Sequence, residues 1–189
     1  MTLGLGYGGT PATLVTTAEV DYSLPTGALT QTMDRRFALT NLAALTSAQL
    51  FLTSIGLRAG KTYTSVSWLS ATTAAGTPLN QWFCLYDSAR AKLAVTSDDT
   101  TTAWAANSYK TLTLSSTYTA TTTGLYYVGI CVVATTVPTL RGMAPQSQAV
   151  GNAPILCGTS TGSLTDPASA PTTAAAITAT GISPYVYMS

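Results

Sequence analysis

The sequence has no histidine and few charges: 8 Lys and Arg and 7 Asp and Glu, only 8% of positions, against about a quarter in ordinary proteins. Without histidine there is no Ser-His-Asp triad, no Cys-His dyad, no histidine-ligated metal and no histidine pH switch. A net charge of +1 on so few basic residues argues against nucleic acid as a partner, because neutralising phosphates takes clustered Lys and Arg. Cysteine is scarce and odd in number, at Cys84, Cys131 and Cys157. A fully paired disulfide framework is therefore impossible. Cys84 and Cys131 lie in apolar strand-like runs and are expected to be reduced and structural, like Cys157. The longest apolar run, Gly124 to Ala134, is too short to span a bilayer, so no membrane is expected as a partner. Met1 to Thr10 has neither the basic region nor the apolar stretch of a signal peptide. Synthesis in a cytoplasm is the expectation.

Threonine and alanine are abundant, at 37 and 28 residues, and the mean hydropathy is +0.28. Monomers in solution usually keep apart by surface charge. Here the surface must be built from Thr, Ser, Ala and Asn, which suits a protein covered by partners or fixed in an assembly. At 46% hydrophobic the chain can bury a substantial core.

Three zones lie along the chain. Residues 1–45 read as an N-terminal arm or peripheral strands, with a short helix near Asp34–Ala44, and are expected to provide attachment or oligomer contacts. Residues 46–189 read as an antiparallel β-sandwich of jelly-roll type. Its strand-like segments are Gln49–Leu57, Thr62–Ser70, Gln81–Asp87, Lys92–Thr96, Tyr109–Leu114, Leu125–Ala134 and Thr139–Arg141. Val66 and Trp68 lie two apart and share a face. Trp82, Cys84 and Tyr86 alternate with Phe83 and Leu85, so that strand is apolar on both faces. Burial on both sides puts it in the centre of a sandwich or between a sheet and a partner. Residues 159–180 are almost all Ser, Thr, Ala, Gly and Pro and read as a flexible surface loop. After them, residues 182–188 alternate Tyr185 and Tyr187 with Val186 and Met188, the pattern of a closing strand.

Several motifs resemble chemistry. Gly4, Gly6 and Gly9 match G-x-G-x-x-G, but no strand precedes them and Pro11 comes after, so the context of a dinucleotide site is missing. A Gly-rich arm is the better reading, with Leu3, Leu5 and Tyr7 as its partner contacts. Gly158-Thr-Ser160-Thr-Gly162 matches a nucleophile elbow without a histidine base to serve it. Asp98 and Asp99 are adjacent and point different ways on extended chain, a poor acid/base pair and a partial calcium set. Asp34-Arg35-Arg36 is a compact charge cluster, read either as a solvated turn or as a partner contact. Among the aromatics, Trp68 and Trp82 belong to strands. Trp104 lies between strands, where core packing over a loop is the favoured reading and stacking on a glycan is the functional alternative. No catalytic, cofactor-binding or metal-ligating residue is assigned.

The stretches Gly76-Thr-Pro-Leu-Asn-Gln-Trp-Phe-Cys-Leu-Tyr-Asp-Ser88, Ser97-Asp-Asp-Thr-Thr-Thr-Ala-Trp-Ala-Ala-Asn107 and Thr123 to Leu140 together resemble a β-sandwich module of tailed-bacteriophage virion proteins. The resemblance covers about residues 48–142. It implies a jelly-roll-like fold, a virion structural role and a homo-oligomer, often a trimer, and it brings no catalytic residues. A single short module without heptads or collagen-like repeats points to a capsid decoration protein bound to the major capsid protein on the head exterior. The alternative is a small tail or head-fibre protein, docked on a tail protein and binding host glycan.

Overall fold

A computed structural model describes residues 23–144 and 152–189. Thirteen strands are found among them. They are β1 (Thr30–Gln31), β2 (Thr40–Asn41), β3 (Phe51–Leu57), β4 (Thr62–Leu69), β5 (Gly76–Tyr86), β6 (Lys92–Val95), β7 (Tyr109–Thr119), β8 (Gly124–Thr136), β9 (Arg141–Met143), β10 (Cys157–Thr159), β11 (Thr178–Ala179), β12 (Ser183–Pro184) and β13 (Val186–Met188). The helical content among the described residues is two single 3-10 turns, Arg35–Phe37 and Pro167–Ser169. The short helix expected near Asp34–Ala44 is thus one turn. Asp34 caps it, and β2 already begins at Thr40.

The strands form a four-stranded sheet ordered β1-β13-β4-β7, a six-stranded sheet ordered β11-β10-β3-β8-β5-β6, and a small sheet ordered β12-β9-β2. Every pairing among them is antiparallel. The two larger sheets pack face to face as a β-sandwich. Set aside the short strands β2 and β9 to β12, and the remaining eight pair first with last, second with seventh, third with sixth and fourth with fifth. This nested pairing is compatible with a jelly-roll winding.

Alternation decides which residues meet between the sheets. Val66 and Trp68 of β4, Phe83 and Leu85 of β5, Val128 and Ile130 of β8, and Val186 and Met188 of β13 all point into one core. Phe83 sits at its centre, 6.1 Å from Trp68 and 6.2 Å from Trp104 between ring centroids. Two aromatic contacts of this kind add specificity to the area they bury.

The opposite face of the six-stranded sheet is apolar as well: Leu50, Leu52, Trp82, Cys84, Tyr86, Tyr127 and Cys131. No partner is needed to cover it. Residues 160–177 lie across it and bury Leu164, Ala170, Ala174 and Ile177 against these side chains. Polar contacts fix the cover in place. Tyr86 Oη donates to Pro171 O at 3.0 Å, Lys92 Nζ to Ala170 O at 2.6 Å, and Arg90 Nε to Ala174 O at 3.3 Å. The flexible surface loop read from composition therefore gives way to a packed third layer. Four apolar residues suffice, because Ala, Ser and Thr between them let the backbone lie close to the sheet.

Two glycines allow this close layering. A Cβ at Gly129 would stand 2.5 Å from Cys84 Sγ and 2.9 Å from Leu50 Cδ1. One at Gly158 would meet the Thr178 carbonyl oxygen at 2.0 Å, where β10 and β11 approach. This gives Gly158, half of the elbow-like motif, a steric role.

The closing strand is present but divided. β12 pairs with β9 in the small sheet, and after Tyr185 the chain enters the four-stranded sheet as β13, between β1 and β4. Among the described residues, no helix is long and apolar enough to cross a membrane.

Candidate functional site

The chemistry-like residues are mostly engaged in holding the fold. Asp98 Oδ1 accepts the Gln81 N–H at 3.0 Å, and its other oxygen accepts from the Asn80 amide. Asp99 Oδ1 accepts the backbone N–H groups of Thr101 and Thr102, while Oδ2 receives Lys110 Nζ at 2.6 Å. The two carboxylates point to different partners, as adjacent residues on extended chain must. Ser160 Oγ donates to Ala175 O at 2.8 Å, tying the covering segment down. Among the described residues no group of three or more His, Cys, Asp or Glu gathers to hold a metal. All three cysteines are free thiols and buried. Burial pushes each thiol up, Cys131 to about 12 and Cys157 to about 11, so none has the depressed value of a reactive thiolate.

Trp104 is in the core, with 1% of its surface exposed. Its ring packs edge-on against Phe83, and its Nε1 donates to Ser108 O at 3.2 Å. The expected glycan contact at Trp104 is corrected: a sugar stacks on an open ring face, and this ring has none. The hydrophobic demand of an indole draws the whole 97–108 loop down onto the sheet ends.

Leu3, Leu5 and Tyr7 lie outside the described residues. Asp34, Arg35 and Arg36 form an outward-facing turn. The Asp34 carboxylate accepts from the Arg36 backbone N–H at 2.9 Å and from the Arg36 guanidinium, which holds its pKa down to about 2. The turn therefore keeps its shape at any ordinary pH, with both arginines exposed.

Just beyond this turn lies a feature that sequence reasoning missed. Phe37 is 59% exposed and Leu39 75%, on either side of buried Ala38. β2 then pairs Thr40 with Gly142 of β9, which brings in Met143, 40% exposed. Arg141 fixes the join, donating to Leu39 O at 3.2 Å and to Asn107 Oδ1 at 3.0 Å. Leu42, buried, anchors the strand from below through its N–H to Leu140 O. The result is a rigid edge that presents two arginines and three large apolar side chains to solvent. Aromatic residues, Met and Arg are the types enriched at protein interfaces. The period-two pattern in Phe37-Ala38-Leu39 is the available signal, but nothing in sequence says which face is outward.

No family model matches the chain, and no curated protein or solved structure matches it.

Proposed function

We propose that this chain is a non-enzymatic structural protein of a bacteriophage virion, a capsid decoration protein that binds the major capsid protein and stabilises the head exterior. The observation that carries the reading is the solvent-facing edge at Arg35, Phe37, Leu39 and Met143. On a surface rich in Thr, Ser and Ala, with Leu29, Leu79 and Tyr109 exposed elsewhere, the grouping of Phe37, Leu39 and Met143 beside arginines supports a docking site. The low charge supports the same reading, since a neutral Thr-rich exterior is suited to close neighbours rather than to isolation in solvent. The nested strand pairing is consistent with the virion module that residues 48–142 resemble. A homotrimer on the capsid is part of the proposal.

The non-enzymatic part rests on the side chains. Asp98, Asp99 and Ser160 are held by structural hydrogen bonds, and the thiols are buried. The test is co-sedimentation of purified chain with undecorated heads. Stoichiometric, salt-resistant binding is expected, and a Phe37→Ser/Leu39→Ser double variant that stays folded should lose it. Absence of binding by the unaltered chain overturns the capsid assignment. The alternative, a small tail or head-fibre protein that binds glycan, would have to use a ring other than the buried Trp104.

A further inference from the structure

We propose that the apolar cleft beside residues 43–46 is the docking site for residues 12–18 of the same chain, which add there as a short strand with Leu14 seated in the cleft. The cleft measures about 250 Å³. Leu45, Phe51 and Ile182 supply its apolar lining, and Gln49, Thr159 and Thr180 its polar lining. None of these side chains belongs to the Phe37 edge, so docking of the segment and binding to the capsid stand or fall separately.

The first observation is a stretch of chain left open between two clamps. On one side the Leu42 N–H donates to Leu140 O at 3.0 Å. On the other, Ala48 takes φ +60°, with its N–H on Val132 O at 3.0 Å and its carbonyl accepting from Leu164 N–H at 2.9 Å. Between them, residues 43–46 belong to no strand or helix. Among the described residues, their backbone N–H and C=O groups meet no hydrogen-bond partner. Open backbone beside an apolar cleft is what an added strand uses: main-chain bonds give affinity, and the cleft selects a side chain.

The second is the character of the walls. No Asp, Glu, Lys or Arg lines the cleft, so a charged occupant would lose its water there without gaining a counter-charge. Thr180 lines it as well, and its buried Oγ1 has no partner. A hydroxyl left in that state is costly, and the main chain of an added strand offers it both donors and acceptors.

The third is the match of the occupant. Residues 1–22 precede the described chain, and their charged side chains are Glu19 and Asp21. Residues 12–18, Ala-Thr-Leu-Val-Thr-Thr-Ala, are uncharged and rich in the β-branched types that favour strands. In period two, Leu14 shares a face with the smaller Ala12, Thr16 and Ala18. That face offers one large apolar side chain to one cleft. Reach is ample. The described chain starts at Ser23, whose Oγ accepts from the Gln31 amide, and Thr32 Oγ1 donates to Pro184 O at 3.1 Å, two positions from Ile182. This puts the start of the described chain on the same flank as the cleft. Leu14 stands nine positions before Ser23, about 30 Å of extended chain. A tethered segment also docks at a high effective concentration, which favours it over a free peptide.

The test is amide hydrogen exchange of the full chain, followed by NMR. With the segment docked, at least two of the amides of Ala43, Ala44, Leu45 and Thr46 should exchange about tenfold or more below the free-peptide rate. That protection should be unchanged on dilution, and the Leu14 methyl protons should show NOEs to the Phe51 ring. Leu14→Asp should return these amides to the free rate, while the β3 amides stay protected and show the fold intact. Leu14→Ile should keep the protection. Free exchange at 43–46 in the unaltered chain, or protection that survives Leu14→Asp, overturns the proposal. So does protection lost on dilution, which would mean that a second copy fills the cleft. Leu14→Asp should still co-sediment with undecorated heads, so failure of one proposal is distinguishable from failure of the other.

Discussion

Lys110 Nζ lies 2.6 Å from Asp99 Oδ2, and 5% and 15% of the two side chains remain exposed. This pair ties the start of β7 to the loop that closes over the core. Its removal from one side is expected to be costly, because the other charge stays buried without a partner. Asp99→Asn or Lys110→Met should each lose about 3 kcal/mol in urea denaturation. The double variant should lose clearly less than the sum. Strict additivity would show that the two charges act independently.

The acid limb of stability should follow from the carboxylates. Burial raises the Asp99 pKa, but the Lys110 ammonium and the Thr102 N–H more than offset it, so the net shift is downward from 3.8. A folded value below the unfolded one gives stability that is complete above the unfolded pKa and is lost as pH falls through the folded one. With no histidine to titrate, the urea midpoint should be flat from about pH 5 to about pH 8 and fall below about pH 4. Asp99→Asn should flatten that fall. Asp34 should titrate at about 2 by NMR with little effect on stability, since its pair with Arg36 is in open solvent.

The thiols should be silent in the native state. Cys84, Cys131 and Cys157 are buried and shifted up by burial. A disulfide reagent at neutral pH should label none of them until denaturant is added, and then all three. Rapid labelling of any one in the folded chain would contradict its placement.

The covering segment should behave as part of the core. Leu164→Ala and Ile177→Ala should each cost about 2–4 kcal/mol, as large-to-small changes do in a packed interior. Proteinase K should leave residues 159–180 intact in the native chain. Early cleavage there would mean that the layer is loosely held.

Gly129 faces the same layer from β8. Gly129→Ala should destabilise the chain by about 1–3 kcal/mol, because its Cβ would press on Cys84 Sγ and the Leu50 and Leu52 methyls. The urea midpoint reads this directly. A neutral result would require the sheet and its cover to part without loss.

Alternation makes most of this fold legible. Trp82, Cys84 and Tyr86 separate from Phe83 and Leu85 in the structure as they do in the sequence, since a strand has only two faces. The closing strand is readable for the same reason: Val186 and Met188 are buried, while Tyr187 is partly exposed. Residues 159–180 mislead because their cover uses only Leu164, Ala170, Ala174 and Ile177, too few and too irregularly spaced to show a period. Trp104 is the aromatic whose place between strands leaves room for exposure, yet core packing over a loop is the favoured sequence reading and the structure buries the ring. The cleft lined by Asp99, Thr102, Trp104, Ser108 and Lys110 beside the start of β7 is not readable at all. It joins Asp99 and Thr102 to Lys110 through a reversal of the chain whose shape depends on Gln81 and Ser70, far away in sequence.

The nested strand pairing sets a timetable for biosynthesis. β13 fills the slot between β1 and β4, so the four-stranded sheet has a gap until residue 188 has left the ribosome. Until then Trp68 and Val66 lack their covering neighbours Val186 and Met188, and two strand edges stand open to pairing with other chains. The core can close only after synthesis has passed this point, by contacts that span nearly the whole described chain, which makes for slow folding. An interrupted translation product would therefore be a sticky, open sandwich rather than a smaller stable domain.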